Sequence, residues 1–486
     1  MGRAATQAMM AKGCTQIARV FLTLVSTVVV ARILKPADYG VIAMVAPVTS
    51  FVLMFQDLGL SSATVQARAI SRQQSNSLFW RNMVASSVIG AVLILISPLI
   101  AGFYGDARAG WVTAASAVSV LVVGLSLQHA ALMTREMRFV AMAVIDISTA
   151  TLGLVVTVVL AVALGNYWAL FGGILAASGA RTVLIWLGSD WRPSRPRLGD
   201  DAGDLVRFGR HVMSFNLINF VLRNADNVLI AKVSGAAALG LYDRSYRLMM
   251  FPIQTINLPI NRLMLPVLSR MVGEGERYRR TFLLAASLVC WVALPGIILA
   301  TALSDPLVRL LLGERWAAAG PIFFWLGLTG VVQTVPNLTG SLFLTTGQTR
   351  TMVGWSLFSA VVTLTGFVVG LRWGPVGVAA SLFITTVART PVLFAICRAG
   401  TSIRQRDLYA VSVAPMIGAS VAALGVRFLS QDLATPVRLI LGLVAVYGLA
   451  SLAVLTTPGG REVASRALAL GVSALQRRAA VPGAVV

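Results

Sequence analysis

Residues 216–227 read NLINFVLRNADN, which places Asn216, Asn219, Arg223, Asp226 and Asn227 at intervals of three, four, and three or four residues. On a helix these positions share one face. The run around them is otherwise apolar and long enough to cross a bilayer. An arginine at mid-bilayer costs about 2.5–3.5 kcal/mol, so the face must look onto water or a paired partner. An Arg223–Asp226 ion pair fits the i,i+3 spacing, but it leaves the asparagines unexplained. A phosphate diester or pyrophosphate would gain charge-assisted, often bidentate hydrogen bonds there.

Shifting back by 200 residues brings Gln16, Arg19, Thr23, Ser26 and Thr27 onto the same register. Two neighbouring apolar runs add Gln56 and Asp57 on one side, and Asp243, Arg244, Arg247, Gln254, Asn257, Asn261 and Arg262 on the other. Under the same shift Asp57 falls on Asn257. Arginine exceeds carboxylate in this set, so a cavity lined by it is expected to be cationic and to suit an anionic cargo. The intended binding set is Arg19, Arg223, Arg244, Arg247, Arg262, Asn216, Asn219, Asn227 and Asn257. Asp57, Asp146 and Asp226 are carboxylates inside apolar runs; each is a candidate to carry a coupling ion or proton, or to pair with a nearby arginine.

The elements that must position these residues are membrane spans. The chain has 486 residues, 57% hydrophobic and 12% charged, with a mean hydropathy of +0.81. Those values lie outside the range of soluble domains. Apolar runs of about 20 residues recur throughout, the length a helix needs to cross hydrocarbon. Fourteen are expected: 15–33, 41–63, 83–103, 111–130, 141–164, 168–187, 211–233, 240–268, 281–303, 317–343, 351–371, 375–397, 408–428 and 437–456.

The net charge of +22 marks sidedness, not nucleic-acid binding. Most arginines fall on one set of alternate connections, and Arg32, Lys35, Arg108, Arg309, Arg315, Arg372 and Arg438 on the other. The positive-inside rule then puts both termini in the cytoplasm. Without an evident cleavage site before it, the first apolar run is expected to be a retained span. Cys14, Cys290 and Cys397 form no CxxC pair and predict packing, not a disulfide or metal. No catalytic residue, metal or cofactor is expected. A membrane polymerase, ligase or glycosyltransferase would hold catalytic groups in sizeable loops, and no outer loop exceeds about a dozen residues. HExxH, GxSxG and phosphate-loop motifs are absent, and His129 and His211 predict interfacial hydrogen bonding.

The chain also repeats. The shift of 200 lays VVVARILKPADYG (28–40) on VLIAKVSGAAALG (228–240), and a shift of 208 lays Gly105–Asp106 on Gly313–Glu314 and Ala180–Arg181–Thr182 on Ala388–Arg389–Thr390. The all-α fold expected is two pseudo-symmetric six-helix bundles around a central cavity, plus two C-terminal helices. The expected division is residues 1–188 and 211–400 for the bundles, 189–210 for a cytoplasmic linker, 401–457 for the added helices and 458–486 for a basic cytoplasmic tail.

Three segments, VVARILKPADYGVIAMV, FQDLGLSSATVQ and above all NADNVLIAKVSGAAALGLYDRSYRL, resemble the polysaccharide-transporter branch of the multidrug/oligosaccharidyl-lipid/polysaccharide flippase superfamily. Within it the similarity is to Wzx-type flippases, in the subgroup of exopolysaccharide and colanic acid exporters. The resemblance implies two six-helix bundles in a V. It implies movement of an undecaprenyl-pyrophosphate-linked oligosaccharide to the periplasmic leaflet for exopolysaccharide or lipopolysaccharide synthesis. It also implies use of cavity arginines for the pyrophosphate. The expected partners are the lipid-linked oligosaccharide, membrane lipids, a polysaccharide polymerase and chain-length proteins, with no nucleic acid. A lipid II flippase shares the anionic cargo and is the nearest alternative. A multidrug exporter of the same superfamily would favour an acidic cavity.

Overall fold

The computed structural model describes residues 22–56, 60–67, 69–195, 203–398, 401–457, 460–462 and 465; for 54–55, 203–223, 254, 257–259 and 261–263 only the backbone course is described. All regular structure among them is helical. In chain order the helices are α1 (Leu22–Ile33), α2 (Pro36–Gln56), α3 (Leu60–Gln66), α4 (Arg72–Tyr104), α5 (Ala107–Arg135), α6 (Phe139–Leu164), α7 (Trp168–Gly188) and α8 (Gly203–Ser269). They continue as α9 (Gly275–Ala302), α10 (Ser304–Leu312), α11 (Ala319–Gln333), α12 (Gly340–Thr345), α13 (Thr349–Gly370), α14 (Gly374–Cys397), α15 (Gln405–Leu429) and α16 (Thr435–Thr456). Among the described residues nine helical stretches are long and apolar enough to cross a membrane, or ten if the bent pair α11 and α12 is one span. The chain is a multi-pass membrane protein.

Several helices outrun the apolar segments that announced them. α4 has 33 residues, about 50 Å at 1.5 Å per residue, against a hydrocarbon core of about 30 Å. Its start lies eleven residues before the expected limit, where Ser71 and Gln74 form a capping box: Gln74 N–H donates to Ser71 Oγ (3.0 Å) and Ser71 N–H to Gln74 Oε1 (2.9 Å). Polarity marks where a helix leaves lipid; hydrogen-bond satisfaction marks where it ends. α8 likewise begins at Gly203, inside the stretch expected to be linker. The run expected over 317–343 is broken instead, with a bend of 52° between α11 and the pair Pro336–Thr345. Pro336 supplies no N–H there, and Thr334 and Thr339 donate to the carbonyls of Gly330 (2.9 Å) and Pro336 (2.8 Å).

The chain forms two compact units: residues 1–243 with 311–316, and residues 244–310 with 317–486. In the first unit, Gln56 on α2 donates to Ser86 Oγ on α4 (2.8 Å) and to the Val120 carbonyl on α5 (2.6 Å). Gly124 completes this junction, because a Cβ there would lie 2.3 Å from Ser86 Oγ. Arg135 donates to the carbonyls of Thr64 (3.0 Å) and Ala67 and closes the C-terminal end of α3. The stretch after α7 lies against α4: Asn76 donates to Arg195 O (3.0 Å), accepts from Ser194 N–H (2.9 Å), and Trp80 donates to Ser194 O (2.9 Å). Trp191 closes an aromatic group with Phe79 and His129, and Trp186 stacks on His129 at 4.4 Å. His129 is wholly buried, and among the described residues neither ring nitrogen has a hydrogen-bond partner. The interfacial role expected for it is therefore replaced by packing.

In the second unit, α15 and α16, expected as an appendix, share the core of α9. Cys290 and Cys397 are buried in that core as free thiols, as expected of packing residues. Tyr447 of α16 donates to Val292 O (2.7 Å) and Trp291 of α9 to Ser451 Oγ (3.0 Å). Arg279 of α9 grips Asp407 of α15 with two bonds, 2.7 and 2.8 Å. A Cβ on Gly418 would lie 2.6 Å from Leu449 O, so α15 and α16 cross backbone to backbone.

Asp106 caps α5 through Arg108 N–H (2.9 Å) and holds the Arg108 guanidinium at 2.7 Å. The hydrogen bond from Arg108 lowers the Asp106 carboxyl below its ordinary value. Its stabilisation is thus complete above a pH of about 4 and is lost as the pH falls through the depressed value. Asp106→Ala is expected to cost about 1 kcal/mol. In detergent melts, the stability gap between the parent protein and Asp106→Asn is expected to shrink on acidification from pH 6 to pH 3.

Candidate functional site

The segment that most resembles a transporter family, residues 224–248, folds as a reversal. α8 is helical from Gly203 to Ser269 except at Gly235, whose φ of 79° and ψ of −178° are non-helical. Tyr242 OH donates to Asp226 Oδ2 at 3.1 Å. Sixteen residues of unbroken helix would separate them by about 24 Å, so α8 is two arms meeting at Gly235. The two arms cover the two apolar runs at 211–233 and 240–268. Glycine is needed at the corner because its φ lies in the left-handed region. Asp226 and Tyr242 are both buried, and the Asp226 carboxylate also accepts from Asn227 N–H (2.8 Å).

The corner seats on α2 through a contact of unusual closeness. A Cβ on Gly40 would stand 1.7 Å from Ala236 O, and a Cβ on Gly240 would stand 1.9 Å from Pro36 O. Positions 36 and 236, like 40 and 240, are related by the 200-residue shift, so each copy offers the same two positions to the other. The flanking residues behave alike. Lys232 donates to Phe103 O and sits 5.0 Å from the Phe103 ring, near the left-handed Gly105. Arg32, its counterpart, has Cγ beside the left-handed Gly313. Gly105 and Gly313 are themselves related by the 208-residue shift.

α2 is prepared for this role by its own start. Pro36 opens the helix, and Asp38 Oδ2 accepts from Lys35 N–H at 3.0 Å. The last carbonyls of α1, which a helix leaves unpaired, are met from far along the chain: Trp316 Nε1 donates to Ala31 O (2.8 Å) and Arg315 to Ile33 O (3.2 Å). Trp316 is fully buried and meets Tyr39 edge-on at 5.3 Å. Sequence reading missed Trp316, although its place just after the repeated Gly313–Glu314 was a signal.

Of the residues expected to bind cargo or carry a coupling ion, Arg19 and Asp57 lie outside the described residues, and so do the side chains of Asn216, Asn219, Arg223, Asn257 and Arg262. Asp226 and Asn227 fall in the first unit, with Asp226 buried and Asn227 half-buried; Arg244 and Arg247 fall in the second, half-buried and exposed. Ser245 fastens that arm to α11 by donating to Ala319 O at 3.3 Å. Asp146 pairs with Arg181 of α7 at 3.3 Å. The repeat counterpart of Arg181, Arg389, instead donates to Ser359 and to Thr363 Oγ1 (2.6 Å) and Thr386 Oγ1 (3.2 Å). Among the described residues no group of three histidine, cysteine or carboxylate side chains is placed to hold a metal.

A family model described as polysaccharide biosynthesis protein matches residues 29–321. The lipopolysaccharide biosynthesis protein WzxC of Escherichia coli (strain K12) is 24% identical over 376 residues, 76% of this chain and 76% of WzxC. The succinoglycan biosynthesis transport protein ExoT of Rhizobium meliloti (strain 1021) is 26% identical over 419 residues, 84% of this chain and 83% of ExoT. Among solved structures, the lipid II flippase MurJ in an inward closed conformation superposes with a TM-score of 0.71 at 12% identity, covering 92% of this chain and 98% of MurJ. An inward-facing MATE family multidrug transporter of the MOP superfamily gives 0.58 at 15% identity, covering 81% and 95%. Both likenesses concern the fold.

Gly40→Ala and Gly240→Ala are each expected to push a backbone apart, costing about 1–3 kcal/mol, read as a lowered unfolding midpoint of the purified protein. Gly102→Ala, with open space around it, is expected to leave the midpoint unchanged. Tyr242→Phe leaves the buried Asp226 short of a donor and is expected to cost about 1–3 kcal/mol in the same assay.

Proposed function

The chain belongs to the polysaccharide biosynthesis protein family, and from that premise we propose that it is a flippase for undecaprenyl-pyrophosphate-linked oligosaccharide repeat units. It works by alternating access in a bacterial inner membrane, with both termini in the cytoplasm, and serves exopolysaccharide or lipopolysaccharide synthesis. The observation that carries this reading is the family match over residues 29–321. WzxC and ExoT, whose names assign them to lipopolysaccharide biosynthesis and succinoglycan transport, support it. The likeness to MurJ is one of fold and does not select lipid II as the cargo.

The physics of the cargo sets the task. A sugar headgroup cannot enter hydrocarbon without losing its hydrogen bonds to water, while the polyprenyl tail is at home there. A hydrated path lined by guanidinium groups offers the pyrophosphate charge-assisted bonds. In this proposal Arg19, Arg223, Arg244, Arg247 and Arg262 hold the pyrophosphate, and Asn216, Asn219, Asn227 and Asn257 meet the sugar hydroxyls. Asp226, held by Tyr242, is the carboxylate that couples transport to an ion, ahead of Asp57 and of Asp146 with its arginine partner. Fourteen spans in two six-helix copies plus α15 and α16 complete the architecture. A polymerase and chain-length proteins act on the delivered repeat.

Arg223→Ala and Arg244→Ala are expected to reduce delivery of lipid-linked oligosaccharide to the outer leaflet by about tenfold or more. The assay is restoration of polymer export in a bacterium lacking its own repeat-unit flippase, with membrane levels checked by immunoblot. Full export by both variants at normal levels removes these arginines from the pathway. Failure of the parent protein to restore export to its native host's deletion strain overturns the function itself.

A further inference from the structure

Away from the polar faces described above, the turn joining α15 to α16 carries a cavity of about 360 Å³ lined by Leu303, Asp305, Pro306, Arg427, Gln431 and Arg438, among others. We propose that it binds the phosphate of an anionic membrane phospholipid such as phosphatidylglycerol. Arg427 stands in the last turn of α15 and Arg438 in the first turn of α16. The Arg438 guanidinium donates to the Arg427 carbonyl at 3.2 Å, which holds it over the end of α15. Its Nε is buried and has no hydrogen-bond partner among the described residues. A guanidinium that merely reached for water would keep all its donors wet.

The charge balance points the same way. Neither arginine has a carboxylate within ion-pairing distance among the described residues. Asp305, the acidic group on the cavity wall, has Oδ1 against α11, where a Cβ on Gly320 would stand 1.9 Å from it. Two cationic groups and one anionic group leave the cavity net positive, with an unspent donor on the Arg438 guanidinium beside it. A phosphodiester brings one negative charge and two non-bridging oxygens, enough to accept from both guanidinium groups.

The surroundings select a lipid over a free anion. Phe428, Leu429, Val437, Ile440 and Leu441 flank the two arginines along α15 and α16, and all are exposed, Leu429 to 89%. In a membrane protein these side chains meet acyl chains, so a headgroup in the cavity has its own tails already in place. The cavity lies at the opposite end of α15 from Arg404 and Arg406, and needs neither the cargo nor the polar faces to be occupied. The proposal rests on the chain's spanning a membrane and not on the flippase reading.

The test is native mass spectrometry of the delipidated full-length protein titrated with phosphatidylglycerol, diacylglycerol or inorganic phosphate. Phosphatidylglycerol is expected to give a saturable adduct that Arg427→Gln/Arg438→Gln weakens about tenfold or more, whereas Arg404→Gln/Arg406→Gln leaves it unchanged. Diacylglycerol, with tails but no phosphate, is expected to give no saturable adduct. Equal phosphatidylglycerol affinity in the parent and the Arg427/Arg438 variant overturns the site. Displacement of the lipid by inorganic phosphate at an equal concentration overturns the lipid as its occupant. Should the double variant fail to fold, Arg427→Gln alone, at an exposed position, is expected to weaken the adduct, and an unchanged adduct overturns the site equally.

Discussion

Two backbones can approach to van der Waals contact only where neither carries a side chain in the way, and the first unit is organised around such a place. Gly40 faces the Ala236 carbonyl and Gly240 faces the Pro36 carbonyl, with no room for a methyl group at either. Around that crossing lie the reversal at Gly235, the Asp226–Tyr242 hydrogen bond that clasps its two arms, and Trp316, which reaches back to α1.

A second constraint comes from lipid, which offers no water to a polar group left over. The structure meets it locally and by different means. Arg181 finds a carboxylate on α6, and its repeat counterpart Arg389 finds hydroxyls on α13 and α14. Gln56 uses a hydroxyl and a carbonyl on two other helices. A charged residue within an apolar run is therefore no mark of transport by itself, since packing alone employs several. What sets the proposed cargo residues apart is their accumulation on one face of a helix, in numbers that a single ion pair does not absorb.

The apolar runs made the helical class and most helix positions legible, because the energy of burying a polar residue in hydrocarbon is large and local. Helix ends were less legible. The Ser71 capping box, the early start at Gly203 and the break at Pro336 depend on hydrogen bonding beyond the hydrocarbon or on one missing N–H. The place of α15 and α16 was not legible at all. An unrepeated pair of spans looks detachable in sequence, yet Tyr447, Trp291 and Arg279 with Asp407 fasten the pair to α9.

By itself the sequence determined that this is a polytopic helical membrane protein and that its parts recur at shifts of 200 and 208 residues. Periodicity and composition suffice for those, since both act over a few turns of one helix. Tertiary structure alone decided that Gly40 and Gly240 touch, that Asp226 is held by a tyrosine sixteen residues on, that Trp316 completes α1, and that Arg427 and Arg438 share one cavity. Contacts between residues distant in the chain depend on where backbones turn and how closely they pass, and neither leaves a periodic trace in a single segment.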